Sequence, residues 1–395
     1  MAKKINILHI APTPFFSDRG CHIRIEGIVR CLSNLGYENT VCTYHHGRDV
    51  ATVDTRRITP IKNYTQTAAG PSKYKLWADW KLLWLTVSEC RRAKPRAIHA
   101  HLHEGLMIGF IVKLLFFWRG IRLIADMQGS LVGELDAHGS FKKRPYLRWP
   151  THLIERGLMW SADAIICSSS HSLEKIQSEF SIPHSKISLA QDGADHSAPL
   201  DPRRRKQLVE LYELPSDKPI IVYSGALLDS KGLQELKDVI VGCQKVAALH
   251  WLIIGYPTGS LRLFLREHGL ESSCTLTGQV DFETLPNLLR LADIAIDPKL
   301  SNAGEGSGKM LNYLASGLAV AAFDTQNNRE FLPTGTPLAA SSKDMVKLLL
   351  KLSSRAKIVE QLAANNFQHF EQHYSWSVTQ RQLDQVYTSQ LAEAQ

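Results

Sequence analysis

Long hydrophobic runs are missing from this sequence. The longest, Leu106 to Trp118, is thirteen residues and is broken by Lys113. A helix needs about 20 apolar residues to cross a bilayer core, so a chain that does not span the membrane is expected. The start, MAKKINILHIAPTP, carries two lysines but no signal-peptide hydrophobic region and no small-residue cleavage site. It reads instead as a first buried strand. Cysteine is sparse: seven are scattered without a C-x-x-C pair or a metal-like spacing. An odd count argues against a closed disulfide framework and fits reduced thiols in the cytoplasm. No G-x-G-x-x-G fingerprint follows the first strand, which counts against a nicotinamide or flavin cofactor. No short internal repeat is present.

What is there is ample for two cores. The chain has 395 residues, 44% hydrophobic and 21% charged, with a formal net charge of +8, which fits two domains of ordinary size. The positive charge is clustered. Lys73 to Arg96 interleaves Trp77, Trp80 and Trp84 with lysines and arginines, and Phe141 to Trp160 mixes Arg144, Arg148 and Arg156 with Trp149. Aromatics among basic residues suit an anionic membrane surface or nucleic acid. Without a stacking sheet or recognition-helix motif, the membrane is preferred and no nucleic-acid partner is expected. The competing reading is a solvated helix face whose tryptophans turn into the core.

Apolar runs alternate with amphipathic stretches, which predicts parallel sheets with helices on both faces. In the first half, strands are expected at Ile5 to Ile10, Val41 to Tyr44, Ala97 to His99, Ile121 to Ala125, Ala164 to Cys167 and Ile187 to Leu189. In the second half they are expected at Ile220 to Tyr223, Trp251 to Ile254, Cys274 to Leu276, Ile294 to Ile296 and Ala319 to Phe323. Asp195 to Lys218 reads as a linker with a short helix. The domain reading is 1–200, 201–375 and a final helical stretch, 376–395. Two doubly wound α/β domains of this kind place a ligand at the carboxyl ends of their strands, in a cleft where they face each other.

The segment SNAGEGSGKMLNYLASGLAVAAFD, Ser301 to Asp324, is the clearest chemical signal. Glycines and Ser307 lead into Gly308, then Lys309 in the first turn of a helix. Free backbone N–H groups, the positive helix end and an ammonium together favour phosphate oxygens. Other candidate loops follow strand ends: PTPFFSDRGCH with Gly20 before a helix, HAHLHEG with His101, His103 and Glu104, DMQGSLVGE with Asp126 and Gln128, and SGALLDSKG with Gly225 and Lys231. Three titratable groups at one strand end lean towards acceptor binding, or cap a helix. Ser130 and Glu134 fit a capping box. Asp297, before Pro298, fits a loop-ordering role.

Taken together, six segments in order resemble the family 4 glycosyltransferases of the GT-B fold: APTPFFSDRGCHIRI, HAHLHEG, DMQGSLVGEL, YSGALLDSKGL, LADIAIDPK and EGSGKMLNYLASG. The last helix, after YSW, is similar to the one that crosses back to the first domain in that fold. The resemblance implies retaining transfer of a hexose from a nucleotide-sugar to a glycan or lipid-linked acceptor, with no essential metal and no cofactor. It implies diphosphate contacts from Lys231 and Gly225, with Ala226 where an arginine is usual and Lys309 as its replacement. Glu305 matches the glutamate that contacts the donor hexose. Asn312 stands near the place of the ribose-binding glutamate, one residue short of the usual spacing. Gln128 stands where a histidine often lies near the anomeric centre. Gly20, Ser307 and Gly308 fall to the donor, and His101, His103, Glu104 and Asp126 to the acceptor. Two other readings stay open: a non-hydrolysing nucleotide-sugar epimerase, and an inactive binding protein. Oligomeric state, nucleobase and sugar are not legible, and peripheral attachment to the cytoplasmic membrane face follows only from the basic-aromatic stretches.

Overall fold

The computed structural model describes residues 5–17, 20–65, 73–137, 141, 144–300 and 308–392, with positions 134, 136 and 137 as backbone only. The chain divides into two compact units. The first holds residues 1–193 and 376–395, and the second 194–303 and 307–375. The division falls after Gly193, ahead of position 200.

In the first unit the described elements are β1 (Asn6–Ala11), α1 (Gly20–Asn34), β2 (Glu38–Thr43), β3 (Asp54–Arg57), α2 (Lys75–Ala93), β4 (Ala97–His101), α3 (Leu102–Leu115), β5 (Arg122–Met127), α4 (Leu131–Ala137), α5 (Arg148–Ser161), β6 (Ala164–Cys167), α6 (Ser170–Phe180) and β7 (Ile187–Leu189). The strands form one parallel sheet in the order β3-β2-β1-β4-β5-β6-β7. The central strands are buried on both faces, as expected for apolar runs sandwiched between helices. The strand β3, of sequence DTRR, has no apolar residue and was not expected. It sits at the sheet edge, where polar side chains keep water on one side.

In the second unit follow α7 (Pro202–Leu211), β8 (Ile220–Ser224), α8 (Leu233–Gln244), β9 (His250–Ile254), α9 (Gly259–Glu267), β10 (Cys274–Gly278), α10 (Leu285–Leu289), β11 (Ile294–Asp297), α11 (Gly308–Ala315), β12 (Ala319–Phe323), α12 (Gln326–Phe331), β13 (Leu338–Ala339), α13 (Ser342–Ser353) and α14 (Ala356–His373). The sheet order is β10-β9-β8-β11-β12-β13, again parallel. Local chemistry sets several helix starts. Asp201 accepts from the N–H groups of Arg203 and Arg204, with Pro202 at the first helical position, and Thr325 and Ser341 cap α12 and α13 in the same way.

Finally α15 (Trp376–Ala392) returns to the first unit and packs on α1. Trp376 lies so close over Gly27 and Gly193 that any Cβ there would fall 2.0 Å and 2.6 Å from its ring atoms. Leu383, Val386 and Tyr387 of α15 join Ile7, Ile28, Leu32 and Ile124 in the core on that face of the sheet. The opposite face is covered by α2, α3, α5 and α6.

Candidate functional site

Each unit carries a polar cluster where its strand order reverses, the place at which doubly wound sheets bind ligands. In the first unit that point lies between β1 and β4. Strand alternation sends Ile7 and His9, Ala97, His99 and His101, and Ile124 and Asp126 to the same face, under α1 and α15. His9, His99, His101 and Asp126 are all fully buried.

Their hydrogen bonds form one chain. The Asn39 amide nitrogen donates to Ser33 and to the Tyr37 carbonyl, so its oxygen faces His9 Nε2 at 3.1 Å. His9 therefore donates there, and its Nδ1 accepts from His101 Nε2 at 3.2 Å. The His101 Nδ1 in turn donates to Asp126 Oδ2 at 2.8 Å. Arg24, 2% exposed, reaches Asp126 Oδ1 from Nε at 2.9 Å and from a terminal nitrogen at 2.6 Å, and its other nitrogen meets Asp192 at 2.7 Å. The Arg24 guanidinium thus faces two carboxylates. Burial works against ionised Asp126, but Arg24 and His101 outweigh it and hold the carboxyl far below the usual range. Burial and the neighbouring His101 push His9 down to about 3 and keep it neutral. His99 is lowered by burial too, and its Nδ1 pairs with the Tyr387 hydroxyl on α15 at 2.7 Å.

Of the residues expected on the acceptor side, His101 and Asp126 are both enclosed, with their polar atoms on each other, on His9, on Gln128 and on Arg24. The 6% exposed His103 bonds Glu155 at 3.1 Å. Glu155 in turn accepts from the N–H groups of Leu131 and Val132, capping α4. The Ser130 hydroxyl accepts from Gly133 N–H, while the Glu134 side chain lies outside the described residues. Glu104 is half-buried and ion-paired with Lys75, which outweighs its burial and lowers its pKa. Gln128 is half-buried, its amide donating to Asp126 Oδ2 at 3.3 Å. Gly20 opens α1 with open space where a Cβ would stand. Arg24, His9 and Tyr387 escaped the sequence reading. Only His9, a polar residue inside an apolar strand, left any signal.

In the second unit the reversal lies between β8 and β11, and the phosphate candidates gather at their carboxyl ends. Gly225 follows β8 at φ 137° and donates to the Ile254 carbonyl. Lys231 ends a short turn that closes on Gly232, whose φ of 87° and missing Cβ let the turn lie against the Pro298 carbonyl. The helix α11 starts at Gly308 and is pinned by Tyr313, whose hydroxyl accepts from Ser224 N–H at 2.7 Å and donates to the Ile296 carbonyl at 3.4 Å. Lys309 does stand in the first turn, but not as a bare cation. Its ammonium pairs with Asp297 at 2.5 Å and lies over the Tyr223 ring. Asp297, 2% exposed, is therefore more than a loop-ordering residue. Asn312 is half-buried on α11, and Glu305 and Ser307 lie outside the described residues.

Residues 19–191 match the glycosyl transferase 4-like domain family, and residues 218–355 match the glycosyl transferases group 1 family. The chain belongs to the GT-B glycosyltransferases. A curated relative of this glycosyltransferase is the alpha-D-kanosaminyltransferase of Streptomyces kanamyceticus, 23% identical over 328 residues, covering 79% of this chain and 82% of the relative. Among solved structures it is similar to sucrose-phosphate synthase from Thermosynechococcus elongatus, with a TM-score of 0.79, 16% identity, and 99% and 100% of the two chains covered. HepE of Anabaena, solved with UDP, superimposes with a TM-score of 0.74 at 15% identity, covering 98% and 100%. These likenesses show the two-domain Rossmann-like GT-B fold.

Proposed function

We propose that this glycosyltransferase moves a hexose from a nucleoside diphosphate sugar to a glycan or lipid-linked acceptor, with retention of configuration and without an essential metal or cofactor. The observation that carries the reading is the convergence, at the β8/β11 reversal, of the Lys231–Gly232 turn, the Lys309–Asp297 pair and the start of α11. Backbone N–H groups and lysine donors there suit a diphosphate, on which negative charge grows as the sugar leaves. A related structure holds UDP-glucose, which supports a uridine nucleotide as the first donor to try.

Retention through a covalent sugar-enzyme intermediate needs an available carboxylate. Asp126 is committed to Arg24 and His101, and Gln128 is a neutral amide. Substitution on one face, with the leaving diphosphate taking the proton of the incoming hydroxyl, suits these residues better. Attachment to the cytoplasmic membrane face belongs to the same reading, and no helix among the described residues is long and apolar enough to cross a membrane.

The test is a thermal-shift screen of nucleoside diphosphates and their sugars, since a ligand specific to the folded state raises the midpoint by mass action. The anomeric configuration of the product from the best donor is then read by NMR, with and without chelator. No shift from any nucleotide, an inverted product, or activity lost on chelation each removes its part of the proposal.

A further inference from the structure

A hydroxyl at the end of β8 lacks a partner in the fold. Ser224 is 3% exposed, and its Oγ is buried without a hydrogen bond among the described residues. A buried polar atom left unmade carries a cost that an alanine at the same place would not. Asn328 and Asn366 also have an unpartnered buried oxygen, but each gives its amide nitrogen to a carbonyl. At Ser224 the unpartnered atom is the whole polar side chain. Such a group points to a partner from outside the chain: a water, an ion or a substrate.

Its position narrows the choice. Strand alternation puts Ile220 and Val222 of β8 in the core beneath Met310, Leu311 and Tyr313 of α11. Ser224 follows at the same step of two, so its side chain turns to the α11 face at the carboxyl end of the strand. The Ser224 N–H donates to the Tyr313 hydroxyl at 2.7 Å. Helical side chains lean towards the N-terminus of their helix, so that contact sets Ser224 towards the head of α11. The preceding residue, Tyr223, carries the Lys309 ammonium over its ring, and the following Gly225 turns away at φ 137°. The lysine and the hydroxyl are thus seated on consecutive residues of one strand, near the N–H groups that open α11.

We infer that Ser224 is a binding residue for the diphosphate, donating its O–H to a phosphate oxygen that enters past the exposed Gly308. Lys309 brings charge to that group, whereas Ser224 brings direction, as a short side chain with one donor on a rigid strand. A phosphate oxygen accepts more than one hydrogen bond, so the hydroxyl and the ammonium do not compete for it. The inference rests on the diphosphate reading of this site and adds a residue that neither charge nor glycine spacing marks.

The experiment titrates inorganic pyrophosphate and UDP into the whole chain by calorimetry. Ser224→Ala should raise both dissociation constants about tenfold, as for one lost hydrogen bond to a charged group. The melting midpoint of the same variant without ligand should stay at or above the wild-type value, since an unpartnered atom has been removed. Ser224→Thr keeps the hydroxyl and should recover most of the affinity. Unchanged binding in Ser224→Ala overturns the inference, assigns the hydroxyl to a bound water alone and leaves the diphosphate reading in place. A lowered midpoint in Ser224→Ala overturns it too, because the hydroxyl would then have a partner within the fold. A wild-type chain that binds neither pyrophosphate nor UDP removes the diphosphate reading and the inference with it.

Discussion

The Lys309 ammonium lies 2.5 Å from the Asp297 carboxylate, so the charge that marked the glycine-rich segment in the sequence is balanced within the second unit. A diphosphate approaching α11 meets a paired lysine whose remaining donors are directional, not a bare positive site. The lysine still favours an anion, because the N–H groups that open α11 add to it.

This pairing changes what substitution at Lys309 does. Lys309→Ala should lower turnover by orders of magnitude, and it should also cost about 3–5 kcal/mol of stability by leaving Asp297 buried and alone. The double variant Lys309→Met with Asp297→Asn should recover most of the lost melting temperature and none of the turnover. Wild-type turnover in the double variant would remove Lys309 from the reaction.

Arg24 has two carboxylate partners of unequal depth. Asp126 is fully buried, whereas the Asp192 side chain is 28% exposed. Asp126→Asn should therefore cost about 3–5 kcal/mol in urea unfolding, and Asp192→Asn clearly less, because water still reaches the Asp192 side chain. Equal costs would mean that burial does not set the strength of these pairs.

Neutral His9 ties stability to pH. Its folded pKa is depressed from 6.5 to about 3, so its contribution is complete above 6.5 and is lost as pH falls, when the unfolded chain takes a proton that the fold refuses. The slope in that window is about 1.4 kcal/mol per pH unit for each such group, and His99 adds in the same direction. Asp79 acts oppositely: burial lifts it to about 6, so its contribution fades as pH rises through that value. Unfolding free energies between pH 7 and 4 should fall less steeply for His9→Gln than for the wild type. Parallel curves would show that His9 titrates alike in both states.

The turn that carries Lys231 depends on one missing methylene. A Cβ on Gly232 would lie 2.2 Å from the Pro298 carbonyl oxygen, at a φ of 87° that side chains rarely adopt. Gly232→Ala should cost about 2 kcal/mol or more and shift the lysine away from β11, lowering turnover. Gly259→Ala, with open space around it at the start of α9, should be neutral or slightly stabilising, by up to about 1 kcal/mol. A melting comparison of the two variants checks the contrast.

Most of the strand and helix order could be read from the chain. Apolar runs at β1, β5, β6, β8, β9 and β12 are long enough to show against polar connections, and the α11 start was visible as Gly308-Lys309 after glycines. What failed was local. Polar residues at strand ends were taken for loop, so β4 was expected to stop at His99, yet it runs through His101 because the imidazoles are buried with partners. The edge strand β3 and the two-residue β13 carry no hydrophobic period to detect.

The sequence by itself determined the two α/β halves, the helix start behind Lys309 and the clustering of tryptophan with basic residues, because each rests on spacing between near neighbours. Only the tertiary structure decided which polar groups are spent on the fold. Arg24 meets Asp126 and Asp192 from 102 and 168 residues away, and α15 brings Tyr387 onto His99 across 288. Pairings over such distances are set by how sheets and helices stack, and no local pattern encodes them. The same stacking left the indoles of α2 and α5 facing out, although their chemistry alone would have allowed them to fill a core.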